Sequence, residues 1–298
     1  MLDLVIEARR KDLGGFEVGR VLPFWKRRMV GPFIFFDHIG PVTLPPNVPQ
    51  STDIRPHPHI GLSTITYLFA GEIMHRDSLG VQQPIRPGEI NWMTAGQGIS
   101  HSERFDGRMR QAGGLVHGIQ AWVALPGDAE EDLPAFVHYP REELPTFTDK
   151  GLTARLIAGN AFGLSNRVKT HSPLVYLHAE LAAGARIALP DGHAERAVYV
   201  VEGSVAVDGH EYPAGQLLVF AAGDAADISA AQSSTLMMFG GESLGPRHIW
   251  WNFVSSRKER IDQAKADWKA GRIALPQHDN QEFIPLPEEP SPSPEPMS

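Results

Sequence analysis

The sequence contains no cysteine, no long uninterrupted apolar run and no excess of basic residues. The absence of cysteine excludes disulfides, thiolate metal sites and cysteine nucleophiles, and it fits a reducing compartment. No stretch approaches the roughly 18 consecutive apolar residues that a membrane-spanning helix needs. Residues 1–10 carry charges and lack an apolar core. We therefore expect no signal peptide, no membrane insertion and a cytoplasmic location.

The charge balance argues against direct binding to nucleic acid. The chain has 27 basic and 35 acidic residues, a formal net charge of −8 and a pI of about 5.9. Nucleic-acid binding depends on Lys and Arg side chains that neutralise phosphates. Small molecules and proteins are therefore the partners that we expect.

Short strands dominate the predicted secondary structure. Glycine (29 residues) and proline (25 residues) are both plentiful, as in folds with many tight turns. Runs of β-branched, aliphatic and aromatic residues lie between these turns, and the clearest of them cover residues 63–69, 89–93, 197–201 and 216–220. Their length and composition favour strands over helices.

One helix and a tail are predicted near the C-terminal end. The helix covers about Arg257–Ala270, with Ile261, Ala264 and Trp268 on one face. From residue 276 the sequence is rich in Pro, Ser and Glu and poor in apolar residues. Such a segment buries too little surface to offset its ordering entropy, so we expect it to be disordered or extended.

The sequence contains two copies of one strand module. Each copy runs through a strand, a glycine turn, a second glycine turn, another strand and an Ala-Gly turn. In the first copy, His101 and Glu103 lie 13 and 15 residues beyond the second glycine turn, whereas the same steps in the second copy reach Ile228 and Ala230. Only the first copy therefore carries residues of the metal-binding type.

Two short motifs in the first copy predict a mononuclear metal site. His57 and His59 are two residues apart, so on a strand both imidazoles project to the same face. His101 and Glu103 repeat this spacing with a carboxylate as the second donor. Two such strands, facing each other across a small barrel, are expected to converge on one ion at its mouth. Imidazole and carboxylate together suit Fe, Mn, Ni, Cu or Zn, and the lack of thiolate argues against a purely structural zinc site.

The coordination number and the neighbouring residues bear on the use of the site. Around an octahedral ion, four protein donors leave two positions for water, O₂ or a substrate, an arrangement typical of catalysis or sensing. His75, at the far end of the next strand, lies either beside the metal or at the surface. Four apolar side chains either line a mouth for a flat substrate or belong to the core: Phe35, Phe36, Ile99 and Phe105.

Four segments of the chain resemble the pirin family. Residues 55–71 (RPHPHIGLSTITYLFAG) resemble the first cupin motif in its pirin form, and residues 91–103 (NWMTAGQGISHSE) resemble the second. Residues 31–37 (GPFIFFD) and 245–254 (GPRHIWWNFV) are also similar to pirins. The resemblance covers about residues 1–275, and its two metal motifs are specific.

The resemblance implies an all-β bicupin fold. In this fold, two antiparallel jelly-roll β-barrels (cupin domains) are stacked in one chain, here followed by a short C-terminal helix and a disordered tail. Residues 1–135 would form the N-terminal metal-binding domain. Residues 136–275 would form a C-terminal domain that lacks ligands and carries the helix, and residues 276–298 would form the Pro-rich tail. We expect a monomer, because each barrel can bury its open edge against the other.

The resemblance also implies the metal ligands. These are His57, His59, His101 and Glu103, which would hold one divalent ion. Iron, as Fe(II), is the expected metal, and Cu, Mn, Ni, Co and Zn are the alternatives. Cupins often place a glutamate ligand four residues after the second histidine, where this chain has Ser63. In pirins the carboxylate ligand is the one that corresponds to Glu103, so Ser63 is not counted.

Two functions follow from the resemblance. Several bacterial members resemble quercetin 2,3-dioxygenases, which open the central ring of a flavonol with O₂ and release CO. The expected activity is this cleavage, with Glu103 as the base that takes the proton of the 3-hydroxyl. The alternative is a non-catalytic regulator whose iron oxidation state changes a surface that binds a protein partner. Arg104, Arg108 and Arg110 form either that surface or a solvated loop. A third reading is another metal-dependent reaction of a small molecule.

Overall fold

The computed structural model describes residues 2–12 and 15–288, and most of its regular structure is β-strand. The strands of the first half are β1 (Leu2–Glu7), β2 (Arg9–Asp12), β3 (Glu17–Leu22), β4 (Phe33–Leu44), β5 (Ile54–His59), β6 (Leu62–Ala70), β7 (Ile73–Asp77), β8 (Gln82–Ile85), β9 (Ile90–Thr94), β10 (Ile99–Arg104), β11 (Gly114–Ala124) and β12 (Ala135–Tyr139). Those of the second half are β13 (Thr146–Asp149), β14 (Leu152–Ala161), β15 (Leu164–Ser165), β16 (Leu174–Leu181), β17 (Arg186–Ala188), β18 (Glu195–Glu202), β19 (Ser204–Val207), β20 (His210–Pro213), β21 (Gln216–Phe220), β22 (Asp227–Ala230), β23 (Ser234–Gly241), β24 (His248–Trp250) and β25 (Phe253–Ser255). The α-helices of the described residues are α1 (Gly107–Ala112) and α2 (Lys258–Lys269). This content confirms the predicted all-β class.

The four predicted strands are present as β6, β9, β18 and β21. The turns that follow β6 and β18 contain Gly71 and Gly203, with φ angles of 92° and 77°. These angles lie in the left-handed region that glycine adopts without steric cost. The glycines that mark the repeat in the sequence therefore end matching strands.

The described chain divides into two compact units. One is formed by residues up to 9, 19–34 and 142–244, and the other by residues 10–18, 35–141 and from 245 onward. Residues from both halves of the sequence thus contribute to the second unit, which contains α2. The domain boundary proposed between residues 135 and 136 stays a prediction.

The same arrangement of strands occurs in both units. In the unit that contains the predicted ligands, one sheet has the order β5-β10-β7-β8, and β12-β9-β6-β11-β4 form a run in the other. In the other unit, the corresponding sheets have the orders β17-β22-β19-β20 and β1-β21-β18-β23-β16-β14-β13. All of these neighbours for which a register is defined are antiparallel. The internal repeat read from the sequence is therefore a repeat of sheet topology.

The smaller sheet of the unit without predicted ligands has an aliphatic interior. Its inward side chains belong to one hydrophobic cluster and are at most 3% exposed: Ile187, Val205, Val207, Ile228 and Ala230. Ile228 lies opposite Ile187, and Ala230 lies opposite Val205. The two positions that the repeat aligns with His101 and Glu103 are thus ordinary core positions in this unit.

The predicted helix is confirmed as α2, and its apolar face packs as expected. Ile261, Ala264 and Trp268 are buried and belong to a cluster with Ile60 and Phe253. Within the described residues, neither helix has the length and apolar character needed to cross a bilayer.

The C-terminal segment makes specific contacts although it forms no helix or strand. Residues 276–288 lie in this segment, and the backbone N–H of Ile284 donates to the Pro56 carbonyl oxygen at 2.8 Å. The Arg104 guanidinium donates to both carboxylate oxygens of Asp279, at 2.6 and 2.8 Å. The first part of the predicted tail is therefore held against β5 and β10. The rest of the tail lies outside the described residues.

Candidate metal centre

Three of the four predicted ligands come together on two neighbouring strands. His57 and His59 lie on β5, and His101 lies on β10 directly opposite His57. Residues opposite each other on antiparallel strands share a face, with Cβ atoms about 4.5–5.5 Å apart. The side chains therefore converge because β5 and β10 are hydrogen-bonded neighbours in one sheet. The expectation that the two strands face each other across a barrel is wrong.

The three imidazoles form one buried cluster. Their ring centroids are 4.4 Å apart for His57 and His101, 4.9 Å for His57 and His59, and 5.0 Å for His59 and His101. One ring nitrogen of each lies within 4.8 Å of those of the other two. The residues are only 1–7% exposed. Such a cluster could hold a metal ion.

The nitrogen positions fit a single ion. The Nε2 atoms of His59 and His101 are 3.1 Å apart. Two nitrogens that bind one ion at ~2.1 Å and at right angles lie about 3.0 Å apart. His57 Nδ1–H donates to the Arg55 carbonyl oxygen at 2.9 Å, so its Nε2 carries the lone pair that a metal needs. His59 Nδ1 is buried without a partner of good hydrogen-bond geometry among the described residues, although the Asn252 backbone is near enough to raise the pKa of His59.

Burial keeps these imidazoles neutral. It is the main reason why the pKa of His57 falls from 6.5 to about 4. The pKa values of His59 and His101 lie well below the usual value, because burial and then repulsion from neighbouring histidines disfavour the charged rings. Neutral imidazole is the form that binds a metal ion.

Glu103 lies beside the cluster but not within it. It is not one of the three residues whose ligand atoms all lie within 4.8 Å of one another, and its Oε1 accepts a hydrogen bond from the Thr66 hydroxyl at 3.2 Å. The register of β10 against β5 shifts between His101 and Glu103, so that Glu103 lies opposite Ile54. Burial raises the pKa of the Glu103 carboxyl, and the Thr66 hydrogen bond acts in the opposite direction.

Two further polar residues adjoin the cluster. His75, which the sequence left undecided, is 4% exposed, and its Nδ1 lies 3.3 Å from Nδ1 of His101. Its Nε2 lies 3.0 Å from the buried Asp77 carboxylate. Sequence reasoning missed Asp77. The available signal was the His-x-Asp spacing on β7, which puts both side chains on one face, but only the pairing of β7 with β10 connects them to His101.

Aromatic rings form one wall of the centre. The Trp122 ring meets His59 edge-on at 5.2 Å and stacks on Phe35 at 4.0 Å. Of the predicted mouth residues, Phe35 is connected to the centre by these contacts, and Ile99 lies opposite His59 on the neighbouring strand. The buried interior contains Phe36, Ile99 and Phe105.

The arginines that follow the ligand strand do not form one free basic surface. Arg104 pairs with Asp279, and both Arg104 and Arg110 pair with the buried carboxylate of Asp53. Arg108 is exposed on α1. Two of the three predicted surface cations are thus engaged within the chain.

Family profiles and known proteins match most of this chain. The profile of the family named Pirin matches residues 15–123, and that of the Pirin C-terminal cupin domain matches residues 176–274. A pirin-like protein of Caulobacter vibrioides is 59% identical over 97% of this chain and 100% of its own length. A Pseudomonas aeruginosa protein, named as a candidate quercetin 2,3-dioxygenase, is 37% identical over 89% of this chain and 83% of its own length.

A solved structure shares the whole architecture. The crystal structure of a quercetin 2,3-dioxygenase from Acinetobacter baumannii superimposes with a TM-score of 0.87 and 32% sequence identity. The match covers 96% of this chain and 95% of the other. This similarity confirms an all-β fold with two cupin-type domains.

Proposed function

Because the chain belongs to the pirin family, we propose that it is a metal-dependent dioxygenase that cleaves a flavonol such as quercetin with O₂ and releases CO. In this proposal His57, His59, His101 and Glu103 hold one divalent ion. Fe(II) is the metal proposed, with Cu, Mn, Ni, Co and Zn as alternatives that the same donors accept.

The observation that carries the proposal is the cluster of three neutral, buried imidazoles. Three histidines that contact one another in the interior are an unfavourable arrangement unless something uses their lone pairs. The similarity to quercetin dioxygenases supports a substrate that binds next to them. The bound metal would supply open coordination positions and electrophilic activation for the flavonol and O₂.

Glu103 is the residue proposed to act as the base. The Thr66 hydroxyl contacts one carboxylate oxygen of Glu103 at 3.2 Å and also lies 2.9 Å from Gln120 Oε1. Burial raises the pKa of Glu103, so it takes up a proton more readily than an exposed glutamate does. In the proposed reaction Glu103 accepts the proton of the flavonol 3-hydroxyl, which increases the negative charge on the ring that is opened.

The surroundings favour a flat aromatic substrate. Trp122, stacked on Phe35, adjoins His59, and Phe136 stacks on His75 at 4.5 Å. Aromatic pairs of this kind bind planar rings through dispersion and quadrupole interactions. Polar donors beside aromatic walls are the usual composition of a small-molecule site.

The test combines metal content with turnover. We would measure the metal bound per chain by elemental analysis and follow O₂ uptake and CO release with quercetin, for the unmodified chain, His101→Ala and Glu103→Gln. About one metal per chain with quercetin-dependent O₂ uptake is expected, and both should be lost in His101→Ala. Glu103→Gln should lose turnover by about 10²–10⁴-fold if the carboxylate is the base.

Each alternative predicts a different result. One metal per chain without turnover of quercetin would refute the dioxygenase and favour the redox-sensing regulator, whose partner binding would then depend on the oxidation state of the metal. A folded chain that binds no metal would refute both.

A further inference from the structure

A chain of hydrogen bonds runs from a buried carboxylate to His101. Asp77 Oδ1 accepts the backbone N–H groups of Leu79 and Val81, at 2.9 and 3.1 Å. Asp77 Oδ2 lies 3.0 Å from His75 Nε2, and His75 Nδ1 lies 3.3 Å from His101 Nδ1. Asp77 is 1% exposed and His75 is 4% exposed, so water does not replace these contacts.

The donors in this series of hydrogen bonds can be ordered in one direction, from His101 to Asp77. An ionised carboxylate only accepts hydrogen bonds, so His75 Nε2 must carry a hydrogen and donate it to Asp77. In the neutral His75 ring, Nδ1 then has a lone pair, and it accepts from His101 Nδ1–H. The proton on Nδ1 leaves the lone pair of His101 on Nε2, the atom that lies 3.1 Å from His59 Nε2.

We infer that Asp77 and His75 are positioning residues that hold His101 in the tautomer able to bind the metal, even before the metal arrives. This inference rests on the proposed metal site. A histidine ligand commonly donates its second ring N–H to a partner that fixes its orientation. Here that partner is a second histidine, whose own orientation is fixed by Asp77 and by the stacked ring of Phe136.

The repeat in the fold supports the inference independently. His75 lies opposite Glu103 on β7 and β10, as Val205 lies opposite Ala230 in the other unit. Two residues further on, Asp77 corresponds to Val207. Val205 and Val207 are buried in an aliphatic cluster. The fold therefore needs no polar residue at either position, and a buried His–Asp pair is retained only in the unit that contains the proposed ligands.

Three substitutions distinguish a positioning role of Asp77 and His75 from a role in packing alone. In Asp77→Asn, the new NH₂ group must face either His75 Nε2 or the backbone N–H groups of Leu79 and Val81. In both cases a donor faces an N–H group that Asp77 accepted, so the order of donors fails. His75→Leu has a volume similar to that of histidine but removes the acceptor for His101, whereas His75→Asn is smaller but keeps an amide oxygen near the position of Nδ1. Asp53→Asn is the matched control, because Asp53 is also a buried carboxylate that accepts a backbone N–H next to β10 but contacts no histidine of the cluster.

The first measurement is the affinity for Co(II), determined by competition with a chelator. We expect Asp77→Asn and His75→Leu to weaken binding by about 10- to 100-fold. His75→Asn should recover much of the loss, and Asp53→Asn should bind as the unmodified chain does. Far-UV circular dichroism at the assay temperature verifies that each variant is folded. Unchanged affinity in both Asp77→Asn and His75→Leu would overturn the inference.

The second measurement needs no metal. Long-range ¹H–¹⁵N NMR spectra of the histidine rings in the metal-free, unmodified chain should show His101 with its hydrogen on Nδ1 and His75 with its hydrogen on Nε2. A hydrogen on Nε2 of His101 would overturn the inference. If the unmodified chain binds no Co(II) but shows the expected tautomers, the proposed function fails while the positioning role stands.

Discussion

His38 should make the stability of the chain depend on pH. This residue lies on β4, is 8% exposed, and its Nε2 is 2.7 Å from Nε2 of His117 on β11. Burial, and then repulsion from His117, lowers the pKa of His38 from 6.5 to about 3. The folded chain therefore resists protonation of His38 at pH values where the unfolded chain is protonated.

The direction and size of the effect follow from this difference. The unfolded chain binds the extra proton between pH 6.5 and about 3, so stability is fully present above this window and is lost as the pH falls through it. Each pKa unit corresponds to about 1.4 kcal/mol, which gives an upper bound of about 5 kcal/mol for the whole window. Between pH ~7 and pH ~5 the expected loss is about 2 kcal/mol.

The assay is urea unfolding of the metal-free chain at a series of pH values, beside His38→Gln. The unmodified chain should lose about 2 kcal/mol more than the variant between pH ~7 and pH ~5. The buried histidines of the metal centre titrate in both proteins, so the difference between the two curves isolates His38. The NMR signals of the His38 ring should not shift above pH ~4. Parallel stability curves, or a His38 ring that titrates near its ordinary pKa, would refute the reasoning.

Two further predictions concern the support of β5 and of the loop that follows it. Gly61 has a φ of 66°, and a Cβ added there would lie 2.0 Å from a carbonyl oxygen of β25, so Gly61→Ala should cost about 3 kcal/mol or more in urea unfolding. Gly163→Ala, at a φ of 75° but with open space around it, should cost only about 1–2 kcal/mol, and equal losses would contradict the steric argument. Removal of residues 276–298 deletes the ion pairs of Arg104 with Asp279 and Glu282 and the hydrogen bond to Pro56, and it should lower the melting temperature by about 5 °C. An unchanged melting temperature would show that these contacts do not contribute to stability.

The parts of the site that depend on local spacing could be predicted from the sequence. Residues two apart on a strand share a face whatever the rest of the fold does, so His57 and His59 had to point the same way. The glycine turns predicted where β6 and β18 end, because few residues other than glycine adopt backbone angles of this kind. These predictions required no knowledge of which strands pair.

The parts that depend on pairing could not be predicted in this way. That β5 and β10 are neighbours, and do not face each other across a barrel, follows from hydrogen bonds between residues at least 40 positions apart. The proposed role of Asp77 depends on the pairing of β7 with β10, and the position of Glu103 opposite Ile54 depends on a shift in register. Sequence spacing within one strand contains none of this information.

The two units together show what the polar cluster costs the fold. The sheet β17-β22-β19-β20 reaches a packed interior with aliphatic side chains alone. At the matching positions β5, β10 and β7 bury four histidines and an aspartate, and Glu103 beside them is partly buried, so each of these polar groups must be desolvated. Buried polar groups that could be replaced by well-packed apolar ones contribute little net stability. The polar set is therefore best explained by what the unit that contains it binds, and three of its histidines form a cluster that could hold a metal ion.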